Sequence, residues 1–320
     1  MYKKTIFIRS SEVEAPYNFK FHLEHYVIYP WLVENGNLVR ILRLKSGKVV
    51  RVEILFTGTI NKPSFKFIVT SPKKLTKGEI KEIKDTISWC LGFKEKVKPF
   101  YDEICKKDPV LKVASEGMRG VRSGGYPTVF EAIIGVVVAQ NVQFKRIYTM
   151  LKNLCKKFGS KLKMGDKVYY AFPTPEQLAK APLKAIRACK VGYRDKYIRG
   201  IAQTVVKNKI DLEALKEISD DKKIREELMK LPGIGPYTAD LVLNIGFRRQ
   251  AFHLDLFSRE AMQTFYFDGK KVPDKKIMDY IDKHWGNYRS LGALFLTTNT
   301  DEWAKKLGKK FRLKSGAKSP

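Results

Sequence analysis

Apolar and polar residues alternate through "NLVRILRLKSGKVVRVEILFTG" on both sides of Ser46-Gly47. A period of two marks a β-hairpin with one wet face, so the chain to about residue 70 reads as β. In "SPKKLTKGEIKEI" the pattern turns helical, with Thr76 and Glu79 placed as a capping box. From there it stays helical almost throughout. Thr128 and Glu131 signal another start, ahead of "AIIGVVVA", the longest apolar run, which fits a buried helix and is too short for a membrane span. "FKRIYTMLKNLCKKFG" is amphipathic and stops at Gly159, a residue suited to the position after a helix end. Two short helices with a break near Gly192 follow. "DDKKIREELMKL" then runs into "LPGIGPYTAD", where two glycines and two prolines fall between Pro232 and Pro236. "DKKIMDYIDKHWGNYRSLGALFLTTNTDEWA" closes the helical part, and "KKLGKKFRLKSGAKSP" reads as a basic, mobile tail. The pattern predicts an α+β chain, mainly α. A small antiparallel β domain with a flanking helix spans 1–98, a helical domain spans 99–305 with the glycine hairpin at 225–247, and the tail covers 306–320.

Charge sharpens this picture. In 320 residues, 62 Lys and Arg face 33 Asp and Glu, a formal net charge of +29. Such a surplus points to a polyanionic partner, most simply nucleic acid. A Lys-rich thermophile composition is the alternative, but thermophilic enrichment raises Glu together with Lys, and here the acids lag. The N-terminus "MYKKTIFIRSSEV" has no apolar core of signal-peptide length, so the expected location is cytoplasmic, close to the nucleoid, with no membrane contact. Cys90, Cys105, Cys155 and Cys189 form no metal-binding spacing and read as reduced, buried thiols.

The hairpin carries the first chemistry. Gly233 and Gly235 permit positive φ and bring backbone N–H groups to the surface. The helix restarting at Pro236 then offers its N-terminal amides, at Thr238 among others, to an anion. That grip holds a phosphate without reading a base; an ordinary tight helix–helix turn is the alternative. Beyond the second helix, "RRQAFHLDLFSREAMQTFYF" sets a single acid, Asp255, in an apolar run opening another helix, eighteen residues after Tyr237.

Hairpin, helix and lone Asp together resemble the helix-hairpin-helix (HhH-GPD) superfamily of DNA base-excision glycosylases. "AQNVQFKRIYTMLKNLCKKFG" and "GYRDKYIRG" are similar to stretches of its 8-oxoguanine branch. "APYNFKFHLEHY" resembles the small sheet domain which that branch shares with the 3-methyladenine branch. The resemblance implies a partner, double-stranded DNA containing damaged bases, and a monomeric enzyme that flips a nucleotide out and cuts its glycosidic bond. It implies no required cofactor and no metal, with room for a monovalent cation at the hairpin. Asp255 would stabilise the sugar cation and direct water, beside its simpler reading as a helix N-cap. Bifunctional relatives carry a nucleophilic lysine where this chain has Tyr237, and tyrosine cannot form a Schiff base. An aromatic there is similar to the alkylpurine branch, where it would stack on an electron-poor base. The resemblance thus implies a monofunctional hydrolase for alkylated purines such as 3-methyladenine. An 8-oxoguanine glycosylase and a non-catalytic DNA-binding protein are the alternatives.

Asn141 and Arg146 match a polar turn that fills the gap left by the flipped base, and Tyr193 and Arg194 match a wedge. A solvated loop and a surface charge are the plain readings of these four. His253, two residues before Asp255, and Trp285 are carried as pocket candidates. A satisfied buried histidine competes for the first, and core packing with Tyr288 and Phe295 for the second.

Overall fold

The computed structural model describes residues 1–25, 27–252 and 254–313. Its N-terminal part is a five-stranded antiparallel sheet of β1 (Tyr2–Ile8), β2 (Trp31–Glu34), β3 (Asn37–Arg43), β4 (Val49–Phe56) and β5 (Phe65–Ser71), ordered β1-β5-β4-β3-β2. The hairpin read from alternation is β3–β4, with Arg43 opposite Val49 and Leu38 opposite Ile54. Short α1 (Phe19–Glu24) precedes β2, and α2 (Lys77–Cys90) lays Ile83 and Ile87 on the sheet beside Val52 and Phe67. The α2 capping box closes as expected: Glu79 N donates to Thr76 Oγ1 (3.2 Å) and Thr76 N to Glu79 Oε2 (2.8 Å).

The expected wet face is absent, because a second hairpin covers it. β6 (Lys161–Met164) and β7 (Lys167–Tyr170) bring Leu162 and Tyr169 against Val39, Ile41 and Val49. "KLKMGDKVYY" alternates around Gly165-Asp166, a strand signal that the helical reading of this region passed over.

The helical part contains α3 (Pro109–Ala114), α4 (Val129–Ala139), α5 (Phe144–Phe158), α6 (Pro175–Lys180), α7 (Leu183–Ile186), α8 (Asp195–Lys207), α9 (Asp221–Met229), α10 (Pro236–Phe247), α11 (Leu256–Tyr266), α12 (Asp274–Trp285), α13 (Arg289–Thr297) and α14 (Thr300–Trp303). The apolar run "AIIGVVVA" lies within α4, buried among Leu154, Ile198, Val242 and Leu243. A second core gathers Phe100, Leu111, Met262, Trp285 and Phe295 around α11–α13. No helix among the described residues is long and apolar enough to cross a membrane, and all four cysteines are buried free thiols.

Three local expectations change. Glu131 N donates to Thr128 Oγ1 (3.1 Å), but the Glu131 carboxylate does not return to the cap. Both its oxygens accept from Nη2 of Arg40 on β3, at 2.6 Å, in a fully buried pair that joins sheet to helices. Gly159 ends α5 with φ −73°, so its value is not a left-handed turn: a Cβ there would collide with the Ala171 carbonyl of the chain leaving β7. The tail is not loose where it is described. Lys306 pairs with Glu116 (2.7 Å), and Phe311 packs on α11.

Candidate active site

α9 and α10 form the two arms of the hairpin, tied by an Arg225–Asp240 ion pair. Between them the chain turns at Gly233, φ +76°, where a Cβ would meet the Tyr197 ring at 2.6 Å. Gly235 differs from expectation: it has φ −98°, and nothing lies within 4 Å of a Cβ built on it. It is the N-cap of α10, and having no side chain it leaves the first-turn amides uncapped, with Pro236 at the first helical position. The Thr238 side chain is buried and faces inward: its Oγ1 accepts from Gln140 Nε2 (3.0 Å), which also donates to the Gly233 carbonyl (3.1 Å). The Thr238 hydroxyl is thus committed inward, and only its backbone is left for the expected anion grip. A cation at the hairpin would have to share carbonyls already accepting from Ile234 N and Gln140, and the chemistry below does not use one. These geometries predict that Gly233→Ala costs about 1–3 kcal/mol of stability and weakens DNA binding, whereas Gly235→Ala folds normally. Thermal melts and duplex anisotropy of the two variants check this.

Asp255 begins α11 as its N-cap. Its Oδ1 accepts from Ser258 N (2.7 Å), while its own N–H donates to Ser258 Oγ (2.8 Å), so the capping bond to the helix amide falls on one carboxylate oxygen. The carboxylate borders a cavity of about 440 Å³, within the usual range for small-ligand sites. Elements from both parts of the chain build its walls. Phe21, His22 and Trp31 come from the sheet side, Phe144 from α5, Asn244 from α10, and Phe257 and Thr297 from α11 and α13. Burial, and then the charges of Arg122 and Arg248, push the His22 imidazole down to about 3, so it stays neutral at physiological pH. Tyr237 is half-exposed on the first turn of α10. Burial and then the Asp255 carboxylate push its phenol up to about 12, but Tyr237 is not among the residues lining the cavity, against the expectation of a pocket wall.

The glycine hairpin's second helix and a lone carboxylate thus border one aromatic cavity. Residues 134–287 match the HhH-GPD superfamily of base excision DNA repair proteins. Over these residues the chain is similar to this superfamily. It is 26% identical over 267 residues to a DNA-3-methyladenine glycosylase of Bacillus subtilis, an alignment covering 82% of this chain and 86% of that one. With a probable N-glycosylase/DNA lyase of Methanothermobacter thermautotrophicus it shares 24% over 256 residues, 74% and 79% of the two chains. Its fold resembles the structure of a 3-methyladenine DNA glycosylase from Archaeoglobus fulgidus, with a TM-score of 0.74, 24% identity, and coverage of 92% and 98%.

Within this HhH-GPD fold, the other candidates separate by burial. Asn141, φ +50°, and Arg146 are exposed at the start of α5. Tyr193 is 54% exposed. Arg194 is not: it is buried, its guanidinium spent on the carbonyls of Val191 (3.1 Å) and Gln140 and stacked 4.5 Å from the Tyr193 ring. It props the exposed Tyr193 ring from below and is not itself at the surface. Trp285 is 1% exposed and lies in the core, its Nε1 donating to Asp108 Oδ2 (3.3 Å), and it does not line this cavity. His253 lies outside the described residues. The wall from Phe21, His22 and Trp31 was missed entirely, since no local pattern links residues 21–31 to Asp255.

Proposed function

We propose that this protein is a monofunctional DNA N-glycosylase that excises damaged purines, alkylated ones foremost. Base excision repair DNA glycosylase is the class to which the matching family and relatives belong. The finer reading rests on one observation: Asp255 borders an aromatic cavity, and the first turn of α10 carries Tyr237, not a lysine, within reach of its charge.

In this reading the hairpin amides hold a backbone phosphate and the damaged nucleotide rotates out of the duplex, at a cost of a few kcal/mol. Its base enters between the cavity's aromatic walls, where stacking favours an electron-poor ring. As the glycosidic bond stretches, electrons leave with the base and positive charge grows on the sugar. Asp255, fixed as an N-cap, faces that charge, directs water to the anomeric carbon and takes the water's proton, while a cationic alkylpurine leaves with the bond's electron pair as the neutral base. No amine attacks, so the abasic strand stays intact. Tyr237 keeps its proton at working pH, which suits a stacking or hydrogen-bonding surface rather than a base. The reading needs no cofactor.

Duplexes carrying 3-methyladenine, hypoxanthine, 8-oxoguanine or uracil provide the test. The expected result is purine release with strand breaks only after alkaline treatment, and no borohydride-trapped protein–DNA adduct. A trapped adduct overturns the monofunctional assignment. Preferred release of 8-oxoguanine overturns the alkylpurine assignment.

A further inference from the structure

The described end of the chain crosses the helix that carries Asp255, and we propose that Phe311 is a positioning residue for the active site, resting on the glycosylase reading above. Lys309 fixes the crossing. Its N–H donates to the Ala304 carbonyl (3.1 Å), and its Nζ donates to the Thr264 carbonyl (3.0 Å) near the end of α11. Two residues on, Phe311 meets α11 at both ends of its inner face. Its ring is near-parallel to Phe265 at 5.8 Å and edge-on to Phe257 at 5.0 Å. Phe265 is core, packed against Trp303 at 4.6 Å, so that end is anchored. Phe257 is different: it is a cavity wall, in the first helical turn, two residues beyond Asp255.

The rest of that first turn is held by polar contacts, with Ser258 buried in the cap and Arg259 paired to Asp274 on α12 (2.8 Å). Leu256 is 71% exposed, and among the described residues Phe311 is the one aromatic ring packed on Phe257. Phe311 therefore transmits the rigidity of the Phe265–Trp303 core to the turn where the cavity wall and the carboxylate begin. A reacting group displaced by about 1 Å can lose about a hundredfold in rate, so a loosened wall acts on chemistry more than on DNA binding. DNA binding uses the hairpin, on other helices.

The test compares wild type, Phe311→Ala and Phe311→Leu, with full-length chains, at a temperature where melts show all three folded. Single-turnover base release and the Kd for an abasic-site duplex are measured. We expect Phe311→Ala to slow release about tenfold with Kd within about twofold of wild type, and Phe311→Leu to restore most of the rate. Wild-type rates in Phe311→Ala, whatever its Tm, overturn the proposal, as does a loss of rate and affinity together or an Ala variant equal to Leu. A wild type inactive on every lesion overturns the glycosylase reading itself; an active wild type matched by Phe311→Ala overturns this proposal alone.

Discussion

Asp255→Asn lowers single-turnover base excision about a thousandfold, while the affinity for an abasic-site duplex is kept or increased. The magnitude follows from electrostatics. A carboxylate ~4 Å from a developing unit cation contributes about 4 kcal/mol at an effective dielectric of ~20. That is roughly a factor of a thousand in rate. The substitution isolates this term because asparagine caps helices as well as aspartate does, so α11 keeps its first turn and its bond from Ser258 N. Asp255→Ala, by contrast, loses charge and cap together, and its Tm falls as well. Removing a negative charge from a surface that meets phosphates does not weaken binding. Single-turnover kinetics with anisotropy on the same preparation decide the matter. Undiminished release by Asp255→Asn sinks the mechanism, and loss of both readouts points to a structural role.

The second large effect concerns the joint between sheet and helices. Glu131→Ala destabilises the protein by about 3–5 kcal/mol, because it leaves the Arg40 guanidinium buried without its carboxylate. Arg40 is 1% exposed, and its Nε and Nη1 have no partner among the described residues. Burial raises the Glu131 carboxyl above its ordinary range even with Arg40 at 2.6 Å, so desolvation outweighs the attraction. It follows that replacing both partners, as Arg40→Met with Glu131→Leu, recovers most of the loss. Denaturant melts of the single and double variants check this. A double variant as unstable as the single one means that the pair itself, not the orphaned charge, holds the joint.

Local features were legible in the sequence, and features assembled across the chain were not. The β3–β4 hairpin, the Thr76–Glu79 cap, the α9–α10 hairpin and the isolated Asp255 each lie within a short window, where spacing fixes geometry. The cavity is another matter. Phe21 and Trp31 face Asp255 across more than 200 residues of sequence, and only packing brings them together. Burial also reassigned residues whose chemistry suggested a surface. Arg194 is committed to carbonyls, the Thr238 hydroxyl to Gln140, and Trp285 to the core with Asp108. A one-dimensional pattern cannot distinguish an arginine that greets a phosphate from one that props up a loop.

Gln140 links three pieces of the surface that the proposed function turns toward DNA. Its amide bonds to both the Gly233 carbonyl and the Thr238 hydroxyl, its carbonyl accepts from Arg194 beneath Tyr193, and Asn141 follows it directly in the chain. A surface laced through one residue in this way behaves as a stiff die, not a mitten. When it meets a duplex, the work of bending and unstacking falls on the DNA. Nucleotides already loosened by damage surrender first, so part of the choice of lesion is made by the mechanical weakness of the helix before any base reaches the cavity.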